Sequence, residues 1–135
     1  MKTNQPLGKK CWIVPDGYIP RETENDKDNQ EGYISHECVC ILNTGQEDAK
    51  IELSIYFEDA GPKLAEGIIV SAQRSWHLRM DELQIDGRPA IERAKPYSLV
   101  INSSGPVVVQ MSRLDTTQNN AAFLSTMGFP VDEVK

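Results

Sequence analysis

The sequence predicts an all-β fold, a sandwich or barrel of about eight short strands. The clearest sign is Ile51, Leu53, Ile55 and Phe57 alternating with Glu52, Ser54, Tyr56 and Glu58, the period of a half-buried strand. Further runs rich in β-branched and aromatic residues recur along the chain, punctuated by Gly61-Pro62, Asp86-Gly87 and Gly105-Pro106. Helical patterning is confined to two short stretches. Residues 80–84 are enough for a turn, and residues 117–125 could be capped by Asp115 or Thr116 but contain Asn119-Asn120, which lowers helix propensity.

In chain order, strands are expected at residues 10–14, 33–43, 51–58, 67–70, 75–80, 97–102, 107–112 and 123–127. Asn43, Thr44 and Gly45 suit a turn, so the second and third strands are expected to form a hairpin closed by the loop 43–49. The third strand should bury Ile51, Leu53, Ile55 and Phe57 and turn Glu52 and Glu58 outward. Val107, Val108 and Val109 leave no polar face, which suits a strand covered on one side by the second sheet and on the other by a loop or a neighbouring subunit.

A chain of 135 residues, 39% apolar and 25% charged, fits one ordinary soluble domain. Its core is expected over residues 8–127, with flexible ends at 1–7 and 131–135 and a mobile loop at 21–30, where RETENDKDNQ offers no aliphatic or aromatic anchor. No run approaches the roughly 18 apolar residues of a spanning helix, so membrane insertion is not expected. Residues 1–10 lack the apolar stretch of a secretory signal, and a cytoplasmic location is the expectation. Cys11, Cys38 and Cys40 are an odd count and do not read as a disulfide framework. A net charge of −6 without a basic run gives no strong nucleic-acid signal.

Ser35, His36 and Glu37 have the residue types of a hydrolase triad, but consecutive strand residues face opposite ways and cannot form one among themselves. His36, Cys38 and Cys40 share a strand face, yet residues two and four apart are separated by about 6.7 and 13 Å. One tetrahedral zinc ion cannot take all three, and there is no CxxC, so neither a metal nor a cofactor is expected. In RSWHLR, Trp76, Leu78 and Met80 fall on one face and Ser75, His77 and Arg79 on the other. The second set is either a solvated strand face or a surface contacting an anion or a polyol. Arg113 and Asp115 also share a side if the strand continues, as a fold-fixing ion pair or loop anchor, or as ligand contacts. Trp12 and Tyr18 flank Pro15 and Asp16, and are either core residues or rings on which a ligand could stack.

Five stretches within residues 8–127 carry a family resemblance: GKKCW with GYIP, SHECVCILN, EDAKIELSIYFED, RSWHLR, and VVVQMSRLDTTQ with LST. In this order they resemble the sensory rhodopsin transducer family. The resemblance implies a jelly-roll-like antiparallel β-sandwich that assembles as a homotetramer. It also implies signalling through a bound small molecule or a protein partner, including a membrane receptor of the rhodopsin type, without catalysis. Trp12, Tyr18, His36, Glu37, Asn43, Arg74, His77, Arg79, Arg113 and Asp115 are the ligand-binding candidates. His36, His77 and Arg74 or Arg79 are expected to meet in a pocket near Trp12, holding a sugar-like or anionic ligand. The alternative is an enzyme acting on a small polar substrate through His36, Glu37 or His77. Two features depart from the family pattern, the acidic loop 21–30 and the tract 87–95.

Overall fold

Alternating side chains become strand along most of the chain. The computed structural model describes residues 5–27 and 33–132. Among them the strands are β1 (Lys9–Gly17), β2 (His36–Asn43), β3 (Ala49–Phe57), β4 (Lys63–Val70), β5 (Arg74–Arg79), β6 (Gln84–Ile85), β7 (Arg88–Pro89), β8 (Tyr97–Asp115), β9 (Ala122–Met127) and β10 (Phe129–Val131), with one helical turn, α1 (Glu24–Lys27). The fold is an antiparallel β-sandwich, as the resemblance implies.

Its organising element is β8, a strand of 19 residues that belongs to both layers. The first half pairs with β1 and β3, and β10 and β4 lie outside those, giving the order β10-β1-β8-β3-β4. The second half pairs with β9 and β2, and β5 lies outside β2, giving β9-β8-β2-β5. Pairing changes hands between Ser103, opposite Ile51, and Val108, opposite Leu42. A straight strand from Tyr97 to Arg113 would span roughly 50 Å, yet both side chains reach the carboxylate of Glu37, each at 2.7 Å. The strand therefore folds over at Ser104, Gly105 and Pro106 and lays one half above the other. Gly105-Pro106, expected to separate two strands, is instead a bend within one.

The expected hairpin between the second and third strands does not form. β2 pairs with β5 and β8, β3 pairs with β4 and β8, and the loop between β2 and β3 carries the chain from one sheet to the other. Turn residues announce a reversal but not which sheet receives the next strand. The helix considered at 117–125 is also absent: Asp115 accepts hydrogen bonds from the amide and hydroxyl of Thr117, and Ala122–Met127 pairs in register with β8. Of the stretch 80–84, residues 80–82 form a turn and Gln84 already begins the short β6–β7 hairpin.

The core lies between the layers. Ile51, Leu53 and Ile55 of β3 are buried, as alternation predicts, with Val39 and Ile41 of β2 and Leu99, Ile101, Val107, Val109 and Met111 of β8. Phe57 is half-buried with the Lys63 ammonium 5.4 Å from its ring centre, while Glu52 and Glu58 face out. In the described part of the 21–30 loop, Asp26 is buried and accepts hydrogen bonds from Thr116 and from the amide of Thr23. A carboxylate, rather than an apolar side chain, ties this loop down; residues 28–32 lie outside the described residues.

The sheets end together on each flank. β9 and β10, joined through Gly128, edge one flank, and β4 and β5, joined through residues 71–73, edge the other. Phe123, Leu124, Met127 and Phe129 are exposed on the first flank, and Leu64, Ile69 and Trp76 on the second.

Candidate functional site

Glu37 is the most enclosed of the polar candidates, with its side chain 1% exposed. Alternation on β2 points it inward beside Val39 and Ile41. One carboxylate oxygen accepts from the Tyr18 amide at 2.8 Å and the Tyr97 hydroxyl at 2.7 Å, and the other accepts from Arg113 Nε at 2.7 Å. Burial pushes this carboxyl above its ordinary value, against the pull of the Tyr97 and Arg113 bonds. Burial and the adjoining carboxylate push the Tyr97 phenol far upward, so it remains a donor. Gly17 makes room for that ring: a Cβ there would lie 2.5 Å from the Tyr97 side chain. Arg113 also lies 3.8 Å from Asp16, and it makes no ion pair with Asp115, which serves Thr117 instead. The expected Arg113–Asp115 pair is thus replaced by Arg113–Glu37, because strand alternation gave the side but not the opposing strand.

His36, Cys38 and Cys40 lie on the outer face of the sheet that contains β2, with His77 and Arg79 beside them on β5. The His36 Nδ1–H donates to the Ile34 carbonyl at 2.8 Å. Burial, with Cys40 nearby, raises the Cys38 thiol. Arg79 grips Asp81 with two bonds, 2.8 and 2.6 Å, and although burial opposes it, this fork holds the Asp81 carboxyl below the usual range. No group of three or more His, Cys, Asp or Glu side chains that could hold a metal occurs among the described residues. Glu37 faces inward while both histidines belong to the outer face, so the three residues of the enzyme alternative do not converge.

An open groove of about 580 Å³ runs along the β4–β5 flank, lined by Asp48, Ile69, Val70, Ser71, Ala72, Arg74, Ser75 and Trp76. Trp76 is 40% exposed there. Arg74 donates from Nη1 to the Gln73 carbonyl and has no ion pair among the described residues, leaving most of its donor fork open. Asp48 uses one oxygen to accept from the Ala72 amide at 2.9 Å. Asn43, buried, donates to the carbonyls of Glu47, Val70 and Ser71 and accepts from the Gly45 amide. It holds together the two loops that form the lips of this groove.

The ten sequence candidates therefore divide among several places. Tyr18, Glu37 and Arg113 meet at the buried carboxylate; Arg74 lines the groove and Asn43 supports it; His36, His77 and Arg79 share an outer face; Asp115 caps a turn. Trp12 joins none of them. It is 5% exposed, with its indole N–H shared between the carbonyls of Lys9 and Val107. Sequence reasoning missed Asp48, Tyr97 and Asp26: the first lies in a stretch that carries the family resemblance but has no role assigned to it, and the other two lie in no motif. It placed Trp76 on an apolar face without its exposure, which follows from β5 being the last strand of its sheet.

The family described as Anabaena sensory rhodopsin transducer matches residues 7–130. Two solved structures are similar. One, described as Thermotoga maritima 1070, is 38% identical with a TM-score of 0.79, over 94% of this chain and 98% of that one. The other, the Anabaena sensory rhodopsin transducer, is 37% identical with a TM-score of 0.62, over 78% of this chain and 82% of that one. No curated protein matches. No helix among the described residues is long and apolar enough to cross a membrane. With nearly its whole length matched by one profile and its sandwich shared with that profile's namesake, the chain belongs to the Anabaena sensory rhodopsin transducer family.

Proposed function

We propose that this chain is a noncatalytic cytoplasmic signalling domain that binds a small polar molecule, sugar-like or anionic, and passes the signal on by protein contact. The observation that carries the ligand reading is the β4–β5 groove, where an exposed indole stands with an open guanidinium and a carboxylate. An indole covers a flat C–H face, while the guanidinium donates to and the carboxylate accepts from hydroxyl groups. The contacts are a homotetramer and a membrane receptor of the rhodopsin type. Apolar flanks favour the first, since exposed patches of this kind mark interaction sites. A net charge of −6 suits a receptor whose cytoplasmic loops carry excess lysine and arginine. Three free thiols suit a reducing compartment.

Calorimetry against monosaccharides, sugar acids and sugar phosphates tests the ligand reading. Trp76→Ala and Arg74→Ala should each weaken the ligand found by at least about tenfold, the loss of one good contact, while His77→Ala leaves it unchanged. Parent-like binding by the first two variants moves the site elsewhere, and no binding by the parent removes the ligand. Light scattering tests the assembly, expected at four times the chain mass of 15.1 kDa.

A further inference from the structure

The four sheet edges are not protected alike. An open strand edge offers unpaired N–H and C=O groups to any other strand, and proteins blunt such edges with short length, proline, charge or a bulge. In the sheet containing β1, both edges are blunted. β10 has three residues and includes Pro130, while β4 has a register break against β3 and Gly67 at φ +79° beside it. In the sheet containing β2, charge on β5 is the one such device. β5 and β9 are six residues each, contain no proline, and run in unbroken register with β2 and β8. β9, AFLSTM, carries no charge, and all six of its residues are exposed. Phe123 alone is 68% exposed.

Resting on the assembly reading above, we infer that copies of this chain join head to tail by edge-strand pairing, β9 of one copy adding to β5 of the next. The pairing avoids contact between like charges, since Arg74 and the partly paired Arg79 would repel a second β5 but not the uncharged β9. Direction agrees as well. The four strands β9, β8, β2 and β5 are each antiparallel to the next, so β5 runs opposite to β9, and a copy placed alongside in the same orientation presents β9 antiparallel to β5. The sheet then continues across copies in its own pattern.

The apolar faces also match. By register, Trp76 and Leu78 of β5 and Leu124 of β9 point to the inner side of this sheet, so Leu124 of one copy is brought to the side of Trp76 in the next. Such an interface is heterologous, using two different surfaces of one chain, and a heterologous interface either closes into a ring or runs on as a filament. Closure by four copies gives the proposed tetramer, and the groove beside Trp76 becomes a cleft along the seam between copies.

Because the two surfaces differ, each can be blocked alone. Phe123→Lys with Leu124→Lys blocks β9; Trp76→Lys with His77→Lys blocks β5. Each double variant should scatter light as a monomer of 15.1 kDa with a parent-like circular dichroism spectrum, and an equimolar mixture should give a dimer and nothing larger, since one intact β9 meets one intact β5. A mixture that stays monomeric overturns the inference in favour of like-with-like contacts. Variants that keep the parent's oligomeric mass also overturn it, while leaving the assembly reading intact. A monomeric parent overturns both. Amide exchange on the parent tests the same pairing without substitutions. Residues 74–79 and 122–127 should be protected at high concentration and lose that protection on dilution, and equal exchange at both concentrations rules the pairing out.

Discussion

Arg113→Ala isolates the electrostatics at Glu37. Removing one member of a buried ion pair leaves the other charge uncompensated, at a cost of about 3 to 5 kcal/mol. Two features lower that figure here: Arg113 is 21% exposed, so water can enter the vacated space, and the Tyr97 hydroxyl and Tyr18 amide still donate to the carboxylate. We expect a loss of about 2 to 3 kcal/mol near neutral pH. The loss should depend on pH in a set direction. Burial already raises Glu37 above its ordinary 4.5, and losing Arg113 raises it further. A group raised in the folded state contributes stability that is complete below its unfolded value and is lost as pH rises through the folded value. The variant's deficit should therefore be largest at about pH 7.5 and shrink as the solution is taken toward about pH 5, because protonating Glu37 in the folded protein removes the stranded charge. Urea melts of parent and variant at both values provide the measurement. In a Glu37→Gln background the same arginine deletion should cost less than about 1 kcal/mol, because no charge is stranded. An equal deficit at the two pH values, or an equal cost in both backgrounds, would refute the reasoning.

Three further outcomes are expected. Leu53→Ala should cost about 2 to 5 kcal/mol and Glu52→Ala no more than about 0.5 kcal/mol in denaturant melts, since Leu53 is fully buried and Glu52 faces water. Gly17→Ala should destabilise by about 1 to 3 kcal/mol, because the new methyl meets the Tyr97 ring, and trimming that ring with Tyr97→Leu should recover part of the loss. Asp26 and Asp81 are held below the ordinary carboxyl range by the Thr116 and Arg79 contacts despite burial, so their contribution is present above about 3.8 and lost as pH falls through the lowered values; Asp26→Asn should flatten the acid side of the stability profile.

Strand existence was legible because each strand carries its own period. The core residues of β3 follow from eight consecutive side chains and need no knowledge of the rest of the fold. Strand partners were not legible in that way. Nothing in Asn43-Thr44-Gly45 distinguishes a hairpin from a step between sheets, and Gly105-Pro106 has the composition of a terminator although β8 passes through it. The site divides along the same line. Alternation placed His77 and Arg79 on one face and Glu37 on the face opposite His36, as observed. Convergence depends on contacts far apart in sequence, such as Glu37 with Tyr97 and Arg113, and periodicity carries no information about those. Trp12 and Trp76 make the point with one residue type: the first lies in a strand flanked by β8 and β10, the second in a strand with an open edge, and only topology tells them apart.

The folded-over course of β8 gives the molecule the mechanics of a book. Ser104, Gly105 and Pro106 are its spine, where covalent chain joins the two covers. At the opposite end Glu37 acts as the clasp, reaching from one cover to Tyr18 and Tyr97 on the other while Arg113 steadies it. At the spine the backbone of a single strand joins the sheets, whereas at the clasp end the longer segments 18–35 and 80–96 make the crossing and side-chain bonds to Glu37 hold the sheets together. Anything that engages Asp16 or Arg113 acts at the free margin of the covers, where a small displacement separates the two sheets furthest.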